Sequence, residues 1–192
     1  MIWGYAGVWP GEFNIWDGDR TMKKLRFTVE HGFQSTHLSL KEMRDPARAD
    51  QIGSYVAEHD LKITVGFHAE FFHPDIDIPR RAGDEFLEDL RTFGDALRVP
   101  IVTMGVGPYH RFMESPSLAE QMDRLADVLT PVATACHDLG RPLGIENHGD
   151  YYCNDLVELC ERALDGDLAG ASADWDPRPG LGVGLAAGGY PG

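Results

Sequence analysis

Short apolar or β-branched runs alternate along the chain with stretches in which apolar residues recur every three or four positions. Runs of the first kind have the period of buried strands and the second that of amphipathic helices, so the alternation predicts βα units around a parallel sheet. Strands are predicted near Ile2 to Val8, Phe33 to Leu40, Lys62 to His68, Val99 to Val106, Pro142 to His148 and Leu168 to Asp174. Successive starts at 2, 33, 62, 99, 142 and 168 lie 26 to 43 residues apart, which leaves room for one helix and two loops per repeat.

Local signals set the helices between them. Asp45 before Pro46 reads as an N-cap and a first helical position, with Ile52, Tyr55, Val56 and His59 following at helical spacing. Phe86, Leu90, Phe93 and Leu97 form a second stripe, with Glu85, Glu88, Asp89 and Arg91 on other faces. Ser117 and Glu120 form a capping box that opens a helix carrying Leu118, Met122, Leu125, Leu129 and Val132 inward, with Pro131 expected to bend it. Leu156, Leu159, Cys160 and Ala163 make a last stripe from Asn154 onward.

About six such units suit either an open doubly wound sheet or most of a (β/α)8 barrel, which typically takes about 250 residues. The 192-residue chain is short for a whole barrel. Residues 1–176 read as one domain with no second domain visible, and 177–192 as a Gly/Pro-rich tail whose composition cannot continue a regular element. Such a tail is expected to be flexible, as truncation or an altered reading frame would leave it.

Composition narrows the partners. Thirty-one acidic residues against 17 basic ones give a formal charge of −14, a field that repels phosphate backbones and anionic membranes. Nucleic acid and membrane are therefore not expected partners. Three cysteines, Cys136, Cys153 and Cys160, have no metal-knuckle spacing and are odd in number, which fits a reducing cytoplasm, with two of them serving as small core hydrophobes. Neither a basic leader nor an apolar run of the roughly 20 residues needed to span a membrane is signalled.

The candidate chemistry sits at the predicted strand ends. Leu143-Gly-Ile-Glu-Asn-His-Gly149 is an apolar strand that finishes in an acid, an amide and an imidazole, and alternation puts Glu146 and His148 on one face. A carboxylate buried there without a partner would cost several kcal/mol, so Glu146 is expected to meet a cation, a metal or a hydrogen-bonding ligand. The ends of parallel strands converge on one side of a βα fold. That convergence gathers His68, His110, Glu146, His148, Asp174 and Asp176, a carboxylate and imidazole set suited to Mn, Co, Zn or Mg. Each also has a plainer reading. His68 could be a hydrogen-bonded strand-end histidine, His110 a solvated loop residue, Asp174 and Asp176 turn caps, His148 a donor to a neighbouring loop and Glu146 the partner of a buried arginine. Trp3, Tyr5 and Trp9 fit aromatic core packing better than a sugar-stacking wall.

Gly144-Ile-Glu-Asn-His-Gly-Asp150, the histidine that closes the third strand and Ala171-Ser-Ala-Asp-Trp-Asp176 together resemble the sugar phosphate isomerase/epimerase superfamily, with its xylose-isomerase-like TIM barrel, also related to endonuclease IV. The resemblance implies an α/β chain with a TIM (β/α)8-type barrel, incomplete at about six βα units. It further implies a divalent metal held by Glu146 and by Asp174 or Asp176, with Glu146 as the acid/base group and His148, Asn147 and His68 as substrate contacts. The implied reaction is proton transfer next to the carbonyl of a small sugar or sugar phosphate. An alternative is a zinc phosphodiesterase like endonuclease IV, with His68, His110, Glu146 and Asp174 as ligands; another is a non-catalytic remnant of the barrel. The family's seventh-strand histidine and eighth-strand glutamate have no matching segment, so activity would require completion by another chain. The unpaired outer strands of an incomplete barrel invite a homo-oligomer.

Overall fold

The computed structural model describes the backbone of residues 4–5 and residues 19–106, 109–147 and 149–163 in full. His148, Asp174, Asp176, the expected strand at 168–174, the tail at 177–192 and the side chains of Trp3, Tyr5 and Trp9 lie outside the described residues.

Five strands form one sheet: β1 (Gly4–Tyr5), β2 (Ser35–Leu38), β3 (Lys62–Phe67), β4 (Val102–Gly105) and β5 (Leu143–Glu146). Between and after them run α1 (Arg20–Glu30), a 3-10 turn (Leu40–Met43), α2 (Pro46–Glu58), α3 (Asp77–Phe93), α4 (Leu118–Asp138) and α5 (Cys153–Ala163). Every neighbouring pair of strands is parallel, and their order in space is their order in sequence. That order separates the two architectures left open by the strand pattern. A doubly wound sheet reverses direction at a switch point and carries helices on both faces, whereas sequential right-handed crossovers keep every helix on one face, as a barrel requires. Consistent with this winding, α1 packs on α2, α3 on α4 and α4 on α5.

The helices start where local chemistry starts them. Asp45 Oδ1 accepts the Arg48 N–H at 3.1 Å with Pro46 in the first turn, and Ser117 and Glu120 close both halves of the capping box. The helix α4 continues through Pro131. Leu97, expected on the α3 stripe, lies beyond the helix end at Phe93 yet is fully buried. No apolar periodicity announces α1, because its buried positions are Thr21, Met22, Leu25, Phe27 and Thr28, with basic residues interleaved.

The two faces of the sheet differ in kind. Ile63, Val65 and Phe67 of β3 and Val102 and Met104 of β4 are buried, and Phe67 meets Phe71 and Phe86 at ring separations of 5.7 and 5.2 Å. Because Phe86 belongs to α3, this face is the one against the helices. Each such side chain stabilises the fold by roughly 1.5–3 kcal/mol through burial. Cys136 on α4 joins this core and Cys160 on α5 is half-buried; burial pushes both thiols up, that of Cys136 to about 11, while Cys153 is exposed. Two cysteines thus behave as small hydrophobes. No helix among the described residues is long and apolar enough to cross a membrane.

Candidate functional site

Strand alternation leaves a second, polar face. Residues paired side by side in a parallel sheet point the same way. Register pairs His37 with Thr64, Gly66 with Thr103 and Gly105 with Glu146, so these six polar or glycine positions, drawn from four strands, share the face turned away from the helices. Two of the positions are glycine, and one has a visible reason. A Cβ on Gly66 would lie 2.5 Å from His68 Nε2 and 3.1 Å from His37 Cε1, so the missing side chain is the space into which both imidazoles lean. A Cβ on Gly105, beside Glu146, would meet no atom of the described residues within 4 Å, which leaves room among them next to the carboxylate.

The electrostatics tie these groups together. Burial holds the His37 imidazole below its usual value of 6.5, and the Lys24 and His68 charges push it the same way while Glu146 opposes them. A ring kept neutral near pH 7 can both accept and donate a hydrogen bond, or ligate a metal. Its Nδ1 lies 3.4 Å from Thr64 Oγ1, and Lys24 reaches from α1 to donate its Nζ to the His37 carbonyl at 2.6 Å. Burial in turn lowers the Lys24 ammonium, with Arg20 adding repulsion. His37 was not among the residues expected from sequence. Its signal was present, because in Thr36-His37-Leu38 the flanking residues are buried and the histidine between them must face the other side.

The expected residues fall into three groups. Glu146 ends β5 on the polar face and is exposed, so burial does not force a partner on it; its charge acts on His37. His68 follows β3 and leans over Gly66 toward His37. Asn147 and His110 have their side chains engaged locally. Asn147 Oδ1 accepts the N–H groups of Gly149, Asp150 and Tyr151 at 3.1, 3.1 and 3.3 Å, and its Nδ2 donates to the Tyr151 carbonyl. His110 Nδ1 accepts the Phe112 N–H at 3.3 Å in the loop before α4. His148, Asp174 and Asp176 are outside the described residues. Among the described residues no group of three His, Cys, Asp or Glu side chains is placed to hold a metal ion.

Two fixed loops frame this face. Tyr151 is buried and donates its hydroxyl to Gln121 Oε1 at 2.6 Å; the fully buried Gln121 passes the restraint on by donating Nε2 to the carbonyls of His110 and Pro116. Burial pushes the Tyr151 hydroxyl up to about 12, so it remains a donor. Arg111 adds an ion pair to Asp155, which itself accepts the Tyr152 N–H at 2.8 Å, and stacks 3.7 Å from the Tyr152 ring centre. The segment after β4 and the segment after β5 are therefore locked to each other, which fixes where Glu146 and its neighbours stand.

Solved structures share this architecture at low identity. A xylose isomerase domain protein from Alicyclobacillus acidocaldarius superposes with a TM-score of 0.60 at 16% identity, over 77% of this chain and 56% of that one. The D-psicose 3-epimerase of Clostridium cellulolyticum H10 gives 0.57 at 16% identity over 77% and 55%. An AP endonuclease, family 2, from Brucella melitensis gives 0.57 at 14% identity over 85% and 65%. The chain thus spans between about half and two thirds of these solved relatives, and at such identity they share the fold alone. Among curated proteins, a phosphoribosylamine–glycine ligase from Allochromatium vinosum is 68% identical over 38 residues, which cover 20% of this chain and 9% of that enzyme. A stretch of that size is smaller than a domain and carries no activity with it. The broader match runs from the middle of α1 through β2 to β5 and past the end of α5: the profile of the xylose isomerase-like TIM barrel family fits residues 25–167. Sequential parallel winding, a polar strand-end face and that match together make this chain a member of the xylose isomerase-like TIM barrel family.

Proposed function

We propose that this polar face is the site of a metal-assisted isomerase or epimerase acting on a small sugar or sugar phosphate. The observation that carries the reading is the placement of Glu146, at a strand end, on the same face as the neutral imidazole of His37 and the leaning ring of His68. The donor set fits a divalent cation such as Mn, Co, Mg or Zn in chemistry, a carboxylate with imidazoles beside it, and Glu146 together with Asp174 or Asp176 would hold it. His110 is a further candidate ligand by type. When bound, such an ion polarises sugar oxygens and offsets the negative charge that develops on them.

The chain's own groups supply the rest. Glu146 takes the proton from the carbon beside the carbonyl, and the room among the described residues next to Gly105 admits that carbon. His37 and His68 orient hydroxyls, with His148 as an additional substrate contact. Asn147 serves the substrate indirectly, by holding the turn that follows the carboxylate. A formal charge of −14 favours a small sugar over a nucleic-acid backbone.

Thermal melts with millimolar Mn or Co test the reading, because a metal bound by the folded state must stabilise it by mass action. The expected result is a rise in Tm that Glu146→Gln removes, together with metal-dependent exchange of the sugar α-proton with solvent deuterium. No rise in Tm would favour a non-catalytic scaffold, and zinc-dependent cleavage of abasic DNA would move the assignment to a phosphodiesterase.

A further inference from the structure

His68 belongs to a second feature. A cleft of about 410 Å³ opens between the 3-10 turn and α3, with Gly66 and His68 on one side and Lys41, Arg44, Arg81 and Asp89 among its walls. That volume is in the range of small-ligand sites. Leu40, Ile78 and Phe86 give it an apolar base.

Its charges are unevenly committed. Arg44 Nε donates to both Asp89 oxygens at 3.0 Å and its guanidinium also reaches Glu85 at 3.4 Å, so both carboxylates of the cleft are engaged by one arginine. Lys41 and Arg81 are left without a carboxylate among the described residues, Arg81 donating only Nε to the Asp77 carbonyl at 3.2 Å. In an acidic chain such cations are normally covered: Arg80, Arg98, Arg141 and Arg162 each hold an acid.

We infer that this cleft is the subsite for a phosphomonoester, binding the phosphate of a phosphorylated sugar between Lys41 and Arg81 while the sugar reaches past His68 toward His37 and Glu146. Lys41 and Arg81, neither of which holds an acid among the described residues, can both donate to one phosphate, which carries about −1.5 to −2 near neutral pH, and the lining as a whole, with Lys41, Arg44 and Arg81 against Glu85 and Asp89, keeps a net positive charge to attract it. The guanidinium of Arg81 supplies planar donors and the Lys41 ammonium a movable point charge. Ser39, which also lines the cleft, adds a hydroxyl. His68 lines the cleft and leans over Gly66 beside the His37 ring, so the cleft opens onto the polar face. The inference rests on the sugar reading proposed above and names its substrate as phosphorylated.

The test is calorimetric binding to the full chain of inorganic phosphate, a ketopentose 5-phosphate and the unphosphorylated ketopentose, at matched ionic strength in chloride. Both phosphates are expected to bind, the sugar phosphate more tightly. Lys41→Ala and Arg81→Ala should each weaken both by about tenfold, the loss of one charge-assisted hydrogen bond, and leave the free sugar unchanged. Both side chains are exposed, so melting curves of the two variants should match the parent. Equal phosphate affinity of parent and double variant, or an equal loss for the unphosphorylated sugar, overturns the subsite. Glu146→Gln should bind inorganic phosphate as the parent does. Phosphate binding that survives in a protein lacking proton exchange would therefore sink the catalytic reading and keep the subsite.

Discussion

Replacing Tyr151 by phenylalanine should cost this chain about 2 kcal/mol of stability. The hydroxyl donates to Gln121 Oε1 at 2.6 Å, both residues are buried, and no water can reach the amide oxygen that would be left behind. A net hydrogen bond contributes about 0.5–1.5 kcal/mol, but an orphaned buried acceptor costs about 1–3, and the second figure governs here because only one partner is removed. For a domain of this size the loss should appear as a fall in Tm of about 4–8 °C. Gln121→Met should cost more, about 3 kcal/mol, since it strands the tyrosine hydroxyl and removes the donors to the His110 and Pro116 carbonyls. Urea unfolding of the two single variants and the double variant gives a cycle, and a coupling energy of at least about 1 kcal/mol is expected for groups in one network. A Tyr151→Phe loss under about 0.5 kcal/mol with additive costs would refute the claim that this bond locks the two loops.

Other expectations follow from the same geometry. His37 is held below its usual 6.5 chiefly by burial, then by Lys24 and His68 against Glu146, so its contribution is present above about pH 6.5 and is lost as pH falls through the lowered folded value. Unfolding free energies between about pH 5 and 7.5 should therefore slope upward, and His37→Gln should flatten that slope; parallel slopes would contradict the assignment. Gly66→Ala places a methyl 2.5 Å from His68 Nε2, the far end of an exposed side chain. The ring should swing away, moving its imidazole NMR resonances while stability changes by less than about 1 kcal/mol, whereas an unfolded variant would mean that His68 is fixed. In the native protein a thiol reagent should modify Cys153 quickly and Cys136 only on unfolding, because burial raises the Cys136 thiol to about 11.

The sequence alone determined what depends on neighbouring residues. The caps at Asp45 and Ser117, the alternation that buries Ile63, Val65 and Phe67, and the polar end of β5 all follow from interactions within a few positions. Helix α1 escaped because its buried face includes threonines among lysines and arginines, leaving no apolar period to detect. Only tertiary structure chose a singly wound sheet over a doubly wound one, since both are written with the same βα repeat and differ only in which side the next strand joins. It also revealed His37 as a companion of His68 and Glu146, turned Asn147 into the keystone of a loop and brought Lys41 and Arg81, neither paired with an acid among the described residues, to one cleft. These are relations between residues far apart in the chain, and parallel register, not local spacing, brings such groups within reach of one another.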